Sequence, residues 1–380
     1  MIRDLSDEHL IQAGSMKWAL DEPNVIPAWI AEMDFAVAPA VSDVVQSYVA
    51  HDVFGYPDLR LHEQVVDAFA TFAQRRWGAD IDQRRVMITG DVMEGMRLAL
   101  SHVAPAGAVI VPTPVYPPFL VMTRDMGREV IEVQMLDDTP TLDLAAIEAA
   151  AANSAKALLL CQPHNPLGRV WTRAELVQIR DLARAYGVHV ISDEIHAPLT
   201  WPGVDLTSYA SVMEDSDRAT VLMSATKSFN MPGLRCAQVV SSRATNHETL
   251  SSLHPVLNHS MSTLGMRASI AAFTESDAWL DAVRTRSADN HAMFTALLAE
   301  HLPEVSCQPA QATYLAWIDV SRVATDDPMA GALAAGVRLD GQNYGVGTDG
   351  HLRVNLATSP DRVREIVRRL SSAQSGWRAS

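Results

Sequence analysis

Ser224-Ala225-Thr226-Lys227-Ser228-Phe229-Asn230-Met231-Pro232-Gly233-Leu234-Arg235 is the stretch on which the reading of this chain turns. It follows the short apolar run Val221 to Met223, which reads as a buried strand, and it sets one lysine among small residues with an arginine eight positions later. A lysine at such a place has two readings. The commoner is a solvated loop residue. The other is a desolvated amine, whose depressed pKa leaves a neutral form able to make an imine with a carbonyl.

Outward from that stretch the chain repeats one arrangement. Apolar runs near 86–89, 109–111, 157–161, 188–192, 221–224 and 236–241 alternate with helical spacing, which predicts an α/β fold with a mostly parallel sheet flanked by helices. Ligands of such sheets bind beyond the carboxyl ends of the strands. Val188 to Ser192 delivers Asp193-Glu194-Ile195-His196 there, and Asp193 is the strongest candidate after Lys227. Val86 to Thr89 stops at Gly90, and Asp91-Val92-Met93 then opens a helix. Asp91 suits the N-cap, so the backbone N–H groups of Val92 and Met93 are left at the positive dipole end as a phosphate cradle. Val109 to Val111 runs into a loop fixed by Pro112, Pro114, Pro117 and Pro118, which presents Tyr116. Ala157 to Cys161 ends in Gln162-Pro163-His164-Asn165-Pro166-Leu167-Gly168, a tight turn in which the ordinary role of Asn165 is to bond its own backbone. Thr172 with Glu175 predicts a capped helix start after that turn.

The two ends of the chain read differently. Residues 1–40 lack periodicity and contain Pro23, Pro27 and Pro39, which predicts an extended arm. Val41, Val44, Val45 and Tyr48 have helical spacing, Phe54-Gly55-Tyr56-Pro57 presents Tyr56 on a loop, and a helix from about 59 to 77 follows. Beyond about residue 255 a long helical region leads to the strands Thr313 to Asp319 and His351 to Leu356. In the second, Leu352, Val354 and Leu356 face a core and Arg353 the other side, where its planar fork suits a carboxylate. The expected organisation is an arm, 1–40, contributing to a small α+β domain at 256–380, and a large domain at 41–255; Ser371 to Ser380 reads as a frayed tail.

Composition narrows the function classes. A chain of 380 residues that is 48% hydrophobic buries a large core. Its 30 basic against 45 acidic side chains leave a formal charge of −15, with no basic run to track nucleic acid. An anionic cofactor must therefore be held by local arginines and helix termini. The cysteines Cys161, Cys236 and Cys307 are far apart and form no C-x-x-C pair, which argues against a disulfide framework and a zinc site, so no metal is expected and a reducing cytoplasm fits. No stretch has the apolar length of a signal or a membrane span.

The Lys227 stretch resembles the Schiff-base segment of fold-type I pyridoxal-phosphate enzymes, the class I/II aminotransferase superfamily. The resemblance extends over nearly the whole chain and rests on the order and spacing of Asn165, Asp193, Lys227, Arg235 and Arg353. It implies that Lys227 bonds the aldehyde of pyridoxal 5'-phosphate and that Ser224 and Arg235 hold its phosphate. It further implies that Asp193 keeps the ring nitrogen protonated, Tyr116 stacks on the ring, Asn165 donates to the phenolic oxygen and Arg353 holds the substrate α-carboxylate. Tyr56 is implied to reach the neighbouring subunit's cofactor phosphate in a homodimer with shared sites. Met16-Lys17-Trp18, Trp29 to Phe35, Asp193 to His196 and Thr313 to Asp319 resemble the cystathionine β-lyase branch, in which His196 either orients Asp193 or touches cofactor or substrate.

The reading that follows is a carbon–sulfur β-lyase acting on cystathionine or a related cysteine conjugate, a small amino acid. An aminotransferase is the alternative enzyme, since Arg235 is more typical of that group. A regulatory protein that retains cofactor without turnover is the alternative outside enzymology.

Overall fold

The computed structural model describes residues 2–19, 24–58, 60–136, 140–253, 261–323 and 327–372. A seven-stranded sheet runs in the spatial order Val86–Thr89, Ala237–Ser241, Ala219–Met223, His189–Asp193, Ala155–Cys161, Ala108–Thr113, Val130–Gln134. Ala237–Ser241 is antiparallel to both its neighbours and the other pairings are parallel, as the alternation of strands and helices predicts. Both faces are covered. Ile110, Leu158, Leu160, Val190, Val221 and Val240 enter one core, whereas the residues between them, Val109, Leu159, Ile191, Leu222 and Val239, enter another. That is why these strands read as unbroken apolar runs. The edge strand Val130–Gln134 went unread in the sequence because only Val133 is buried and Glu132 and Gln134 interrupt the run.

The C-terminal part builds its own core around the antiparallel strands His351–Asn355, Leu315–Asp319 and Ser306–Cys307, backed by the helices Asp277–His301 and Pro360–Ser372. Leu352, Val354 and Leu356 enter this core, as their alternation requires. The helix Thr263–Glu275 packs instead on Pro39–Ala50 and Arg60–Trp77, and its Met266, Ala272 and Phe273 belong to the larger core. Gly265, near its start, lets the same helix lie close against the Leu234-Arg235 backbone. A Cβ there would press into the Leu234 and Arg235 carbonyls.

The N-terminal arm is not wholly extended. Short helices form at Asp7–Ala13, capped by Ser6 and closed by Gly14 at φ 66°, and at Met16–Ala19. Leu10 is the sole buried residue of the first, too weak an apolar signal to be read as periodicity. Farther on, Ile26–Pro27 pairs in parallel with Val337–Arg338, while Met33 and Phe35 enter the large core, so the arm bridges both bodies. Pro23 and residues 373–380 lie outside the described residues, and Ser371 continues a helix.

Candidate active site

The carboxyl ends of four adjacent strands converge on one pocket. His189–Asp193 ends on Asp193, which is buried, and whose Oδ1 accepts from the Ile195 N–H at 3.0 Å. Burial pushes its carboxyl up to about 7, against a smaller downward pull from Lys227. After Ala219–Met223 the chain turns and delivers Lys227, whose Nζ donates to the Ala31 carbonyl at 2.9 Å. Burial pushes this amine down to about 8, and the Arg353 charge adds to the effect. His196 is buried, and burial holds it neutral, with a pKa down to about 3. It meets Tyr314 edge-on at 6.3 Å and, among the described residues, makes no hydrogen bond to Asp193.

A second corner is built for an anion. Asp91 caps the helix Val92–His102 by accepting from the Glu94 N–H at 2.8 Å, which leaves the N–H groups of Val92 and Met93 at the helix mouth. Arg235, half exposed, lies there too, with Nη2 at 2.5 Å from Asp91 Oδ2. Ser224 does not join them. It is fully buried and its Oγ donates to the Cys236 carbonyl at 2.6 Å, so the hydroxyl braces the Lys227 turn from inside. Tyr56 is also outside the pocket, 98% exposed on its loop beside exposed Val53 and Phe54.

At the third corner, Tyr116 and Asn165 meet Arg353. The Tyr116 hydroxyl is pushed up by burial, with the Arg353 charge opposing the shift, and its ring meets Phe119 edge-on at 6.2 Å. Arg353 is 3% exposed; its Nη1 donates to Asn165 Oδ1 at 3.3 Å, and its Nη2 to the Trp29 carbonyl and to Asp340 Oδ2, both at 2.9 Å. Its Nε is buried with no partner. With Oδ1 so engaged, the Asn165 amide N–H₂ remains to donate. Gly168, at φ 63°, closes this turn against Ala310 and Ala312, and His164 Nε2 donates to the Pro114 carbonyl at 2.6 Å, tying the Asn165 turn to the Tyr116 loop.

Several groups at the pocket were not singled out in the sequence. Asp340 pairs with Arg353 and accepts from the Tyr344 hydroxyl at 2.6 Å. Asn230 bonds Met33 through both its amide atoms, at 2.9 Å each, and Asn355 Nδ2 donates to the Ile30 and Glu32 carbonyls at 2.6 Å. Together they bind the arm segment Trp29 to Phe35 across the mouth. Asn355, two residues beyond Arg353 on the same strand face, carried the one available signal.

Pyridoxal phosphate fits these residues. The free N–H groups and Arg235 suit its phosphate, and a buried carboxyl raised by desolvation suits a protonated ring nitrogen. The unpartnered Arg353 Nε suits a substrate carboxylate. Among the described residues no group of three or more His, Cys, Asp or Glu could hold a metal ion, and no helix is long and apolar enough to cross a membrane.

Comparison with known proteins gives a consistent picture. The profile of the aminotransferase class I and II family matches residues 29–370. A cystathionine beta-lyase of Corynebacterium glutamicum is 32% identical, over 96% of this chain and 98% of its own. A solved protein of Corynebacterium diphtheriae, described as a candidate PLP-dependent beta-cystathionase, superposes with a TM-score of 0.94 at 33% identity, covering 99% of each chain. Cystalysin from Treponema denticola, solved with a pyridoxal 5'-phosphate cofactor, gives a TM-score of 0.90 at 27% identity over 98% of each chain.

Proposed function

This chain belongs to the class I and II aminotransferase family, and from that premise we propose that it is a pyridoxal-phosphate-dependent carbon–sulfur β-lyase of the cystathionine β-lyase kind. The observation that carries the reading is the pocket itself, where a lysine amine pushed down to about 8 shares one space with a buried carboxyl pushed up to about 7 and an arginine with an unpartnered Nε.

Bound pyridoxal phosphate supplies an electron-withdrawing ring that makes the substrate Cα–H acidic. The protein's part follows from its residues. Arg235 and the Val92 and Met93 N–H groups hold the phosphate, with Ser224 bracing the turn behind. Asp193 keeps a proton on the ring nitrogen, Tyr116 covers the ring and Asn165 donates to its phenolic oxygen. Arg353 takes the α-carboxylate. The Lys227 amine, held by the Ala31 carbonyl and partly neutral near pH 8, removes the α-proton. The C–S bond then breaks with its electron pair on sulfur. For cystathionine the balance is one water consumed and one homocysteine, pyruvate and ammonia formed.

A large cofactor-binding body over 41–255, onto which the helix Thr263–Glu275 packs, with a smaller body formed by the rest of 256–380 that the 1–40 arm joins, is the organisation we infer. Tyr56 and its exposed apolar neighbours favour a homodimer, with Tyr56 reaching the partner's site; sedimentation as a monomer at working concentration would remove that element. The reaction is tested by its products. With cystathionine, catalytic cofactor and no ketoacid, thiol, pyruvate and ammonia are expected in equal amounts over many turnovers. A single half-turnover per site that resumes only on adding a ketoacid would replace the lyase reading with an aminotransferase.

A further inference from the structure

Glu32 stands at the mouth of the pocket with its backbone fixed. Its carbonyl accepts from Lys17 Nζ at 3.1 Å and Asn355 Nδ2 at 2.6 Å, and its N–H donates to the Ile30 carbonyl at 2.8 Å. The preceding carbonyl, of Ala31, accepts from Lys227 Nζ at 2.9 Å and from the Tyr314 hydroxyl at 3.2 Å. Burial pushes the Lys227 amine down and the Tyr314 hydroxyl up, and the half-buried Glu32 carboxylate is near enough to both to oppose the first shift slightly and add to the second. Among the described residues it makes no hydrogen bond or ion pair of its own. The other carboxylates around the pocket are engaged: Asp340 with Arg353 and Tyr344, Asp193 with the Ile195 N–H, and Asp91 with Arg235 and the Glu94 N–H.

A carboxylate held in place by its backbone and left without a cation is complementary to a cation that arrives with the substrate. On the lyase reading, the substrate's α-amine is committed to the cofactor and its α-carboxylate to Arg353. What remains for Glu32 to meet is the far end of the side chain. We propose that Glu32 recognises an ammonium group carried beyond the sulfur, and so selects diamino thioethers such as cystathionine over thioethers without that charge. The proposal rests on the lyase reading, and its test separates the two.

The test compares cystathionine with S-(3-carboxypropyl)-L-cysteine, the same molecule lacking only the distal amine. In the cofactor-loaded protein, Glu32→Gln is expected to lower the ratio of their kcat/KM values about tenfold, mainly through KM for cystathionine, and Glu32→Lys to lower it further. Equilibrium binding of both compounds to the loaded Lys227→Ala protein, with and without Glu32→Gln, is expected to give the same ratio without turnover. If Glu32→Gln does not fold, Glu32→Asp carries the test with a smaller fall. Equal losses for both compounds would mean that Glu32 acts only through Lys227 or the fold, and would overturn the proposal. An unchanged ratio overturns it while leaving the lyase reading intact, whereas a wild-type protein that eliminates thiol from neither compound overturns both.

Discussion

Two lysines donate to consecutive carbonyls of the arm and do different work. Lys17 Nζ donates to the Glu32 carbonyl at 3.1 Å and Lys227 Nζ to the Ala31 carbonyl at 2.9 Å. Lys17 is 1% exposed and completes its environment with Asp34 Oδ1 at 2.8 Å, a carboxylate that also accepts from Trp18 Nε1 at 2.8 Å and Arg362 Nη1 at 3.2 Å. Lys227 has no carboxylate at ion-pair distance among the described residues and sits near the Arg353 charge, which helps push its amine down. Burial alone therefore does not make a lysine reactive. The absence of a paired anion does, and the two lysines separate a fastening from a chemical group.

The sharpest way to break this comparison is to exchange the roles by substitution. Lys227→Met is expected to lower kcat/KM for thiol release by at least about a thousandfold, because the base and the covalent anchor are removed together. The chain has three lysines, Lys17, Lys156 and Lys227, so borohydride trapping of the loaded protein gives an unambiguous peptide map. Cofactor recovered on Lys17 or Lys156 would invert the assignment. Next in size, Lys17→Met leaves Asp34 buried with fewer partners and is expected to cost about 3 kcal/mol of stability, read from the urea midpoint, the low end for a broken buried pair because Arg362 remains. A cost below about 1 kcal/mol would mean that water reaches the pair and that Lys17 is no fastening.

The residues on the two sides of this comparison differed in how readable they were. Asp193, Lys227 and the Asn165 turn were legible because each closes an apolar run, and a sheet buried on both faces writes such runs plainly. Arg353 was legible from strand alternation. The resemblance implied Ser224 as a phosphate ligand, yet its hydroxyl donates to the Cys236 carbonyl; which neighbour a buried hydroxyl finds is settled by the strand beside it, not by its own segment. The arm was the least legible. Its place depends on Asn230, 197 residues from the Met33 it binds, and on Asn355, 323 residues from Glu32. No local pattern encodes such contacts, and the polar residues that make them carry no periodicity.

The smallest expected effect is also the one that tests the electrostatic half of the comparison, and it has a sign opposite to that of Lys17→Met. The fold lowers the Lys227 amine from the 10.5 of an ordinary lysine to about 8. Between those values the folded chain binds fewer protons than the unfolded one, so this residue's contribution to stability rises with pH across that window. Below pH 8 both states hold the proton, and the fold bears the full cost of a desolvated charge. Removing the charge should therefore stabilise the cofactor-free protein. At pH 7, Lys227→Met is expected to be more stable than wild type by about 1–2 kcal/mol, a figure reduced for the amine's partial exposure and for its lost bond to the Ala31 carbonyl. The difference should narrow as the pH is raised from 7 towards 10, because the wild-type amine then loses its proton in the fold. Urea unfolding of both cofactor-free proteins at several pH values reads it directly. If Lys227→Met is instead destabilising at pH 7, or its difference from wild type ignores pH, then Lys227 is as well compensated as Lys17 and the distinction between them lies elsewhere than in charge.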